Sequence, residues 1–221
     1  MLRESESLAA RDLCSVCHSG TLTEFARVGS RLYRRCGHCH ATLMDPDGWL
    51  SQQDEREVYR LHDNAVDDPG YRRFLNKLAE PLLEGLTPGQ HGLDFGCGPG
   101  PALAVMLEEE GMDVTRYDPA FFPDDSVFRR RWDFITCTEV IEHLRDPLGV
   151  FHQLNAMLAQ GGVLAVMTCF QTDDNRFINW HYRRDPTHIV FYREQTLHWL
   201  AGHLGWSLEI PRKDVALFRK P

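Results

Sequence analysis

No stretch of the 221-residue chain is apolar for long enough to cross a bilayer, a span that takes about 20 consecutive residues. There is no excess of positive charge either: 24 Lys and Arg stand against 32 Asp and Glu, for a net charge of −8. A general nucleic-acid binder needs a basic face that displaces counterions from phosphates, so the overall balance disfavours that class and leaves room only for a local patch. The opening residues, Met1-Leu2-Arg3-Glu4-Ser5-Glu6-Ser7, lack the basic and apolar regions of a secretory leader. Internal repeats and low-complexity tracts are missing too. These absences leave, as the expectation, a cytoplasmic globular protein with one good core and a small appendage. Thiols stay reduced in that compartment, so the seven cysteines are expected as thiols or metal ligands rather than disulfides.

Four of those cysteines come in two pairs, Cys14-Ser15-Val16-Cys17 and Cys36-Gly37-His38-Cys39, with eighteen residues between them. Two C-x2-C knuckles present two thiolates each, and a hairpin between them folds the pairs together. This spacing predicts a structural zinc ribbon with Cys14, Cys17, Cys36 and Cys39 as ligands. The alternatives are disulfides, which the compartment disfavours, and four buried thiols, which the paired spacing disfavours. Four sulfurs close the shell, so His18, His38 and His40 are read as neighbours rather than ligands. Arg31, Arg34 and Arg35 either offset the thiolate charge, form a basic patch, or lie on a solvated strand face.

The chain is organised around His91-Gly92-Leu93-Asp94-Phe95-Gly96-Cys97-Gly98-Pro99-Gly100. The stretch begins apolar, meets an acid and breaks into alternating glycines. A helical pattern of Ala102, Leu103, Val105, Met106 and Leu107 follows. Strand, tight turn and helix in that order place a nucleotide-like ligand at a strand's carboxyl end, where glycines let it approach bare backbone. A dinucleotide site wants G-x-G-x-x-G, but the third glycine of that pattern falls on Pro101. Asp94 repels a phosphate and can accept hydrogen bonds from an ammonium group, which favours a ligand with a cationic amino-acid end. A second strand over Met112 to Tyr117 ends at Asp118-Pro119. An acid some twenty residues past a glycine loop can accept both hydrogen bonds of a ribose diol.

Trp132 to Thr138 reads as a buried central strand and leads into Glu139-Val140-Ile141-Glu142-His143. Asp146-Pro147 starts a helix, Gly161-Gly162 ends it, and Val163 to Phe170 is another buried strand. Such crossovers make a parallel sheet. The interval from Pro119 to Trp132 is too short for a full helix and strand, so one sheet edge is expected to shrink to a loop. Tyr71, Phe74, Leu75, Leu78 and Leu82 recur at helical spacing ahead of the first strand. Trp206 to Ile210 and Val215 to Arg219 read as a closing hairpin. The stretch Trp180-His181-Tyr182-Arg183-Arg184-Asp185-Pro186-Thr187-His188 is dense in aromatic and ionisable groups and follows a strand end, where such sheets bind ligands. It is expected to line an active site, with His188 as a base and Asp185 orienting it. The alternative is a loop whose polar groups satisfy its own backbone.

The D-x-G-x-G-x-G arrangement of Asp94 to Gly100 resembles motif I of class I S-adenosylmethionine-dependent methyltransferases. The D-x-I run of Asp133-Phe134-Ile135, followed by Val140-Ile141-Glu142-His143, resembles their fourth-strand motif. The resemblance covers roughly residues 71–221. It implies an α/β fold: a Rossmann-like, seven-stranded sheet, or a reduced form of it, with a zinc ribbon over 1–45 and a linker over 46–70. It implies S-adenosylmethionine as cofactor, the loop of Gly96, Cys97, Gly98 and Gly100 around its methionine part, Asp118 and Pro119 at its ribose, and Thr138 and Glu139 beside it. Glu142 and His143 are expected to orient their loop. The ribbon and the W-x-Y-R-R-D-P-T-H stretch together are similar to bacterial methyltransferases with an N-terminal zinc-binding segment. A small-molecule acceptor is the leading expectation. An RNA methyltransferase that reads RNA through the ribbon, and a cofactor-binding zinc protein without turnover, are the alternatives.

Overall fold

The computed structural model describes residues 13–60 and 65–221, so the polar opening residues Met1 to Ser7 lie outside the described residues. In chain order the strands are β1 Leu22–Val28, β2 Arg31–Cys36, β3 Thr42–Met44, β4 His91–Phe95, β5 Asp113–Tyr117, β6 Trp132–Thr138, β7 Leu158–Met167, β8 Val190–Phe191, β9 Ser207–Arg212 and β10 Val215–Arg219. The longer helices are α1 Gln52–Arg60, α2 Pro69–Leu83, α3 Ala102–Glu109, α4 Pro147–Met157 and α5 Glu194–Leu204. The chain divides into two compact units. The first holds residues up to 59, 141–150 and 169–200; the second holds 60–140, 151–168 and 201–221.

The first unit is built on an antiparallel sheet in the order β1-β2-β3-β8. The hairpin expected between the cysteine pairs is β1 and β2, turning at Gly29 with φ +60°. All three residues of β3 are buried, and a buried strand cannot stay an open edge without stranding its backbone polar groups. It pairs with β8, Thr42 opposite Phe191 and Leu43 opposite Val190. Residues 169–200 therefore complete the sheet that the cysteine segment begins, which differs from the expected boundary at 45. The expected linker over 46–70 carries a 3-10 turn, Pro46–Gly48, capped by Asp45, and then α1. Tyr33, Phe177 and Phe191 meet edge to face with ring centroids 5.0–6.0 Å apart and close the unit's core, a geometry the ring quadrupoles favour.

The second unit is a six-stranded sheet in the order β5-β4-β6-β7-β10-β9. The first four strands are parallel, and β10 runs antiparallel to both neighbours. The seventh strand is missing among the described residues. Between Pro119 and Trp132 the chain makes only a 3-10 turn, Asp125–Arg129. A crossover to another parallel strand takes about a dozen residues or more, and none can fit there beside the strand itself. The sheet is thus the reduced form, with β5 at its edge.

Helical spacing before β4 is realised as α2, whose Leu75, Leu78, Ala79 and Leu82 are buried, with Pro81 in its last turn. Asp68 caps it by accepting the Tyr71 N–H at 2.6 Å. The helix expected to stop at Gly161-Gly162 ends earlier, at Met157. β7 begins at once and bulges at the glycines, where Gly161 takes φ +74°. Phe134 on β6 is fully buried and lies across Gly92 of β4, where a Cβ would come within 2.0 Å of its ring. Burying such a side chain contributes roughly 1.5–3 kcal/mol. From β4 the sheet grows to β5 on one side and β6 on the other. The carboxyl end of β4 is therefore a topological switch point, where open α/β sheets bind ligands.

Candidate functional site

The glycine loop in the second unit leaves β4 at that switch point. Gly96 has φ +77° and Gly98 φ +64°, both in the left-handed region that only glycine enters without strain. The N–H groups of Gly96 and Cys97 donate to the Tyr117 carbonyl at 2.7 and 3.1 Å, tying the loop to the end of β5. A Cβ on Gly96 would strike Val140 at 2.4 Å, whereas one on Gly98 would meet nothing within 4 Å. Gly98 is held to glycine by its backbone angle, and the space beside it is open.

Asp118, at the tip of β5 ahead of the exposed Pro119, bridges to this loop. Its Oδ2 accepts the Gly98 N–H at 3.2 Å, and its Oδ1 accepts Ala120 and Phe121 N–H at 2.8 and 3.1 Å. A carboxylate offers about four lone-pair sites, so capacity remains for a further donor. Gly100 precedes α3 and accepts the Ala102 N–H at 2.8 Å.

Asp94 sits deeper than its motif suggests, at 3% exposure. Thr136 Oγ1 donates to its Oδ1 at 2.8 Å, and the Ala104 N–H in the first turn of α3 bonds it too. Pro101, in the capping position of α3, supplies no side-chain acceptor, so Asp94 satisfies one of the orphan donors of that helix. Burial raises its pKa to about 6, against the pull of Thr136, Arg116 and the Ala104 N–H. This capping role was not legible in the motif. Burial, then Asp94 and Asp118, pushes the Cys97 thiol up, so it stays protonated.

At the carboxyl end of β6, the buried Thr138 hydroxyl makes no hydrogen bond. Glu139 follows with φ +52°, its N–H donating to the Met167 carbonyl at 2.8 Å. A non-glycine residue at positive φ is a strained position of the kind that clusters at functional sites. Tyr71 of α2 is raised to about 12 by burial and by Asp94, Glu139 and Cys97, so its hydroxyl keeps its proton. Arg72, next along α2, pairs with Glu109.

In the first unit, Cys14, Cys17, Cys36 and Cys39 are all buried, with one ligand atom from each within 4.8 Å of the others. Cys14 to Cys39 and Cys17 to Cys36 are 3.6 Å between sulfurs, far beyond the ~2.05 Å of a disulfide. A tetrahedron of sulfurs about 2.3 Å from a zinc ion has edges of about 3.8 Å. The two knuckles repeat one conformation. His18 and His40 take φ +52° and +64°, and their N–H groups return to the carbonyls of Cys14 and Cys36. Backbone N–H groups of Val16, Gly20, His38 and Cys39 point at the sulfurs at 3.2–3.4 Å. Gly20 can only be glycine, since a Cβ would lie 2.1 Å from Cys36 Sγ. The neighbouring histidines are engaged elsewhere, His18 with Asp146 at 3.0 Å and His38 with the Trp199 indole at 2.8 Å. Arg34 pairs with Asp45 at 2.9 Å and Arg35 with Asp174 at 2.8 Å.

The aromatic stretch after β7 folds within the same unit. Asp185 accepts the Thr187 N–H and hydroxyl at 2.8 and 2.5 Å. Although burial opposes it, those bonds and the nearby His188 and His143 hold its pKa below the usual carboxylate range. Its second oxygen lies 3.9 Å from His188 Nε2. His188 is 7% exposed, and burial holds it below the ordinary imidazole range. Tyr182 donates to the fully buried Glu142 at 2.6 Å. The structure thus brings Asp185 and His188 together, and it adds Glu142, His143 and Tyr182 around them.

A family described as a methyltransferase domain matches residues 68–209. Among curated proteins, the chain is 24% identical over 152 residues to a ubiquinone biosynthesis O-methyltransferase of Histophilus somni, covering 56% of this chain and 59% of that protein. It is 25% identical over 160 residues to the Actinobacillus pleuropneumoniae protein of the same name, covering 60% and 61%. The chain spans about six-tenths of the length of these curated relatives. Among solved structures, the magnesium protoporphyrin IX methyltransferase of Synechocystis, crystallised with bound SAH, shares the fold. Its TM-score is 0.53 at 16% identity, over 79% of this chain and 97% of that one. With more than half of its residues inside the family match, the chain belongs to the methyltransferase domain family.

Proposed function

We propose that the chain transfers a methyl group from S-adenosylmethionine to an oxygen of a small molecule, and that its cysteine segment holds one structural zinc ion. The observation that carries the first part is the Gly98–Asp118 bridge at the sheet's switch point. It joins a loop of bare backbone to a carboxylate with lone pairs to spare, one strand apart. In this reading Gly96, Cys97, Gly98 and Gly100 wrap the amino-acid end of the cofactor, and Asp118 and Pro119 meet its ribose. The unpartnered Thr138 hydroxyl and Glu139 border it. Asp94 contributes negative charge from behind the loop, while its hydrogen bonds keep α3 in place.

The bound cofactor supplies an activated methyl on a sulfonium. The protein's share is to orient the acceptor and keep water out. An oxygen acceptor accords with the names of the curated relatives. The RNA alternative is weakened, because Arg34 and Arg35, two of the three arginines it draws on, are paired with acids of their own unit. The sulfur separations and the N–H groups aimed at them support zinc. This is charge-offsetting chemistry that a four-thiolate site requires.

Calorimetry on the full chain is expected to show binding of S-adenosylmethionine and of S-adenosylhomocysteine and none of NAD, with Asp118→Ala losing the heat. Labelled methyl is expected to enter the small-molecule fraction of a cell extract and not its RNA. NAD binding in place of the sulfonium nucleoside, or label in RNA alone, would overturn the reading.

A further inference from the structure

We infer that Glu142, His143 and His188 form a second metal site, distinct from the cysteine cluster, which binds one divalent first-row transition ion through two imidazole nitrogens and a carboxylate. One ligand atom from each of the three lies within 4.8 Å of the other two. Their tautomers follow from their neighbours. His188 Nδ1 faces the Tyr182 carbonyl at 2.7 Å, and His143 Nδ1 faces the Thr187 carbonyl at 3.1 Å. A carbonyl oxygen has no proton to give, so each Nδ1 carries the hydrogen. In the neutral rings each Nε2 then presents a lone pair.

The rings lie edge to face with centroids 4.7 Å apart, and His143 Nε2 is 3.8 Å from Glu142 Oε1. Two imidazole lone pairs therefore converge with a carboxylate that is wholly buried.

The surroundings repeat the pattern by which proteins hold metal ligands. Each histidine donates its far N–H to a backbone carbonyl, and Tyr182 fixes the carboxylate by donating to Oε1 at 2.6 Å. Such outer contacts set tautomer, orientation and basicity of the ligands. Two nitrogens and one oxygen suit zinc and its first-row neighbours, whereas magnesium and calcium prefer all-oxygen shells. Three protein ligands leave a coordination position for water or an oxygen ligand. An ion on His188 Nε2 also occupies the lone pair that a general base there would need, so the two roles are exclusive.

The inference does not rest on methyl transfer, and its test does not read activity. Full-length protein is equilibrated with zinc, passed through gel filtration and analysed for metal. Two zinc ions per chain are expected, falling to one in Glu142→Gln and in His188→Gln. The zinc retained by the thiolates in each variant reports that the unit is still folded. In parallel, Mn2+ is titrated into protein given a single equivalent of zinc, which the thiolates take first, since a hard ion avoids the sulfur site. One Mn2+ per chain is expected, with 14N coupling from imidazole in its pulsed EPR spectrum, and none in Glu142→Gln. One zinc and no Mn2+ in the native protein would overturn the inference, leaving a proton rather than a metal between these groups. So would Mn2+ that lacks nitrogen coupling or persists in both variants.

Discussion

The two units solve the same problem by different physics. The second unit has a six-stranded sheet with fully buried Leu78, Ala104, Leu107 and Phe134 packed on it, and its stability comes from apolar area removed from water. The first unit has four short strands, the last of only two residues. Beside its aromatic core it packs ligand-bearing clusters into its interior, four thiols in one place and Glu142, His143 and His188 in another. A small unit cannot bury enough apolar surface to offset its chain entropy unaided, and metal ligation commonly makes up the difference. The comparison also separates the two clusters. As the two proposed sites stand, soft sulfurs from two knuckles would close a shell, whereas mixed nitrogen and oxygen donors would leave a position open.

Removing the zinc proposed for the cysteine cluster is the harshest way to break this comparison. Structural zinc contributes on the order of 10 kcal/mol or more to folding in small zinc domains. A strong chelator, or Cys36→Ser, is expected to release one zinc and to abolish amide-exchange protection across β1 and β2 while β4 and β6 remain protected. Unchanged protection in β1 and β2 would mean that the thiols pack without metal. Phe134→Ala tests the other unit. A loss of about 3–5 kcal/mol is expected for an aromatic core truncation, read as a lower urea midpoint with both zinc-binding levels intact. A drop below 1 kcal/mol would show that the sheet core carries less than its burial implies.

Asp94 sharpens the contrast through pH. Its folded pKa, about 6, is raised above the ordinary value of 3.8. Its contribution to stability is therefore whole below pH 3.8 and is lost as pH rises through 6. A shift of about 2 pKa units corresponds to roughly 3 kcal/mol. The difference in unfolding free energy between Asp94→Asn and the native protein, followed from pH 5 to 7.5, is expected to move in favour of the variant as pH rises. A flat difference would remove burial as the controlling influence. The mildest change is Tyr182→Phe, which deletes only the hydroxyl bonded to Glu142. Metal affinity at that cluster is expected to fall about 10–100-fold, the usual worth of an outer contact, with the thiolate-bound zinc untouched. Equal affinity would place Tyr182 outside the ligand shell's support.

Much of this molecule was legible because the relevant partners are close in sequence. The C-x2-C knuckles, the glycine loop with Asp94, the Asp146-Pro147 helix start and the closing hairpin of β9 and β10 each depend on spacing within a few residues. Asp146 does accept the Gly149 N–H at 3.2 Å, as a cap should. The tight interval after Pro119 likewise foretold the lost strand. Other features depend on residues far apart: Thr42 opposite Phe191, Thr136 bonded to Asp94, His188 beside His143. Glu142-His143 reads as a loop-orienting pair until His188 and Tyr182 arrive from about forty residues downstream.

By itself, then, the sequence determined the local turns, the order of strands and helices, the thiol pairs and the place of the glycine loop at a strand's carboxyl end, because backbone angles and short spacings obey local rules. Only the tertiary structure decided that residues 169–200 complete the sheet of the cysteine segment, that Asp94 is a helix cap, and that two histidines share one buried carboxylate. Burial, and the pairing it enforces, is a property of the whole fold that no local window contains.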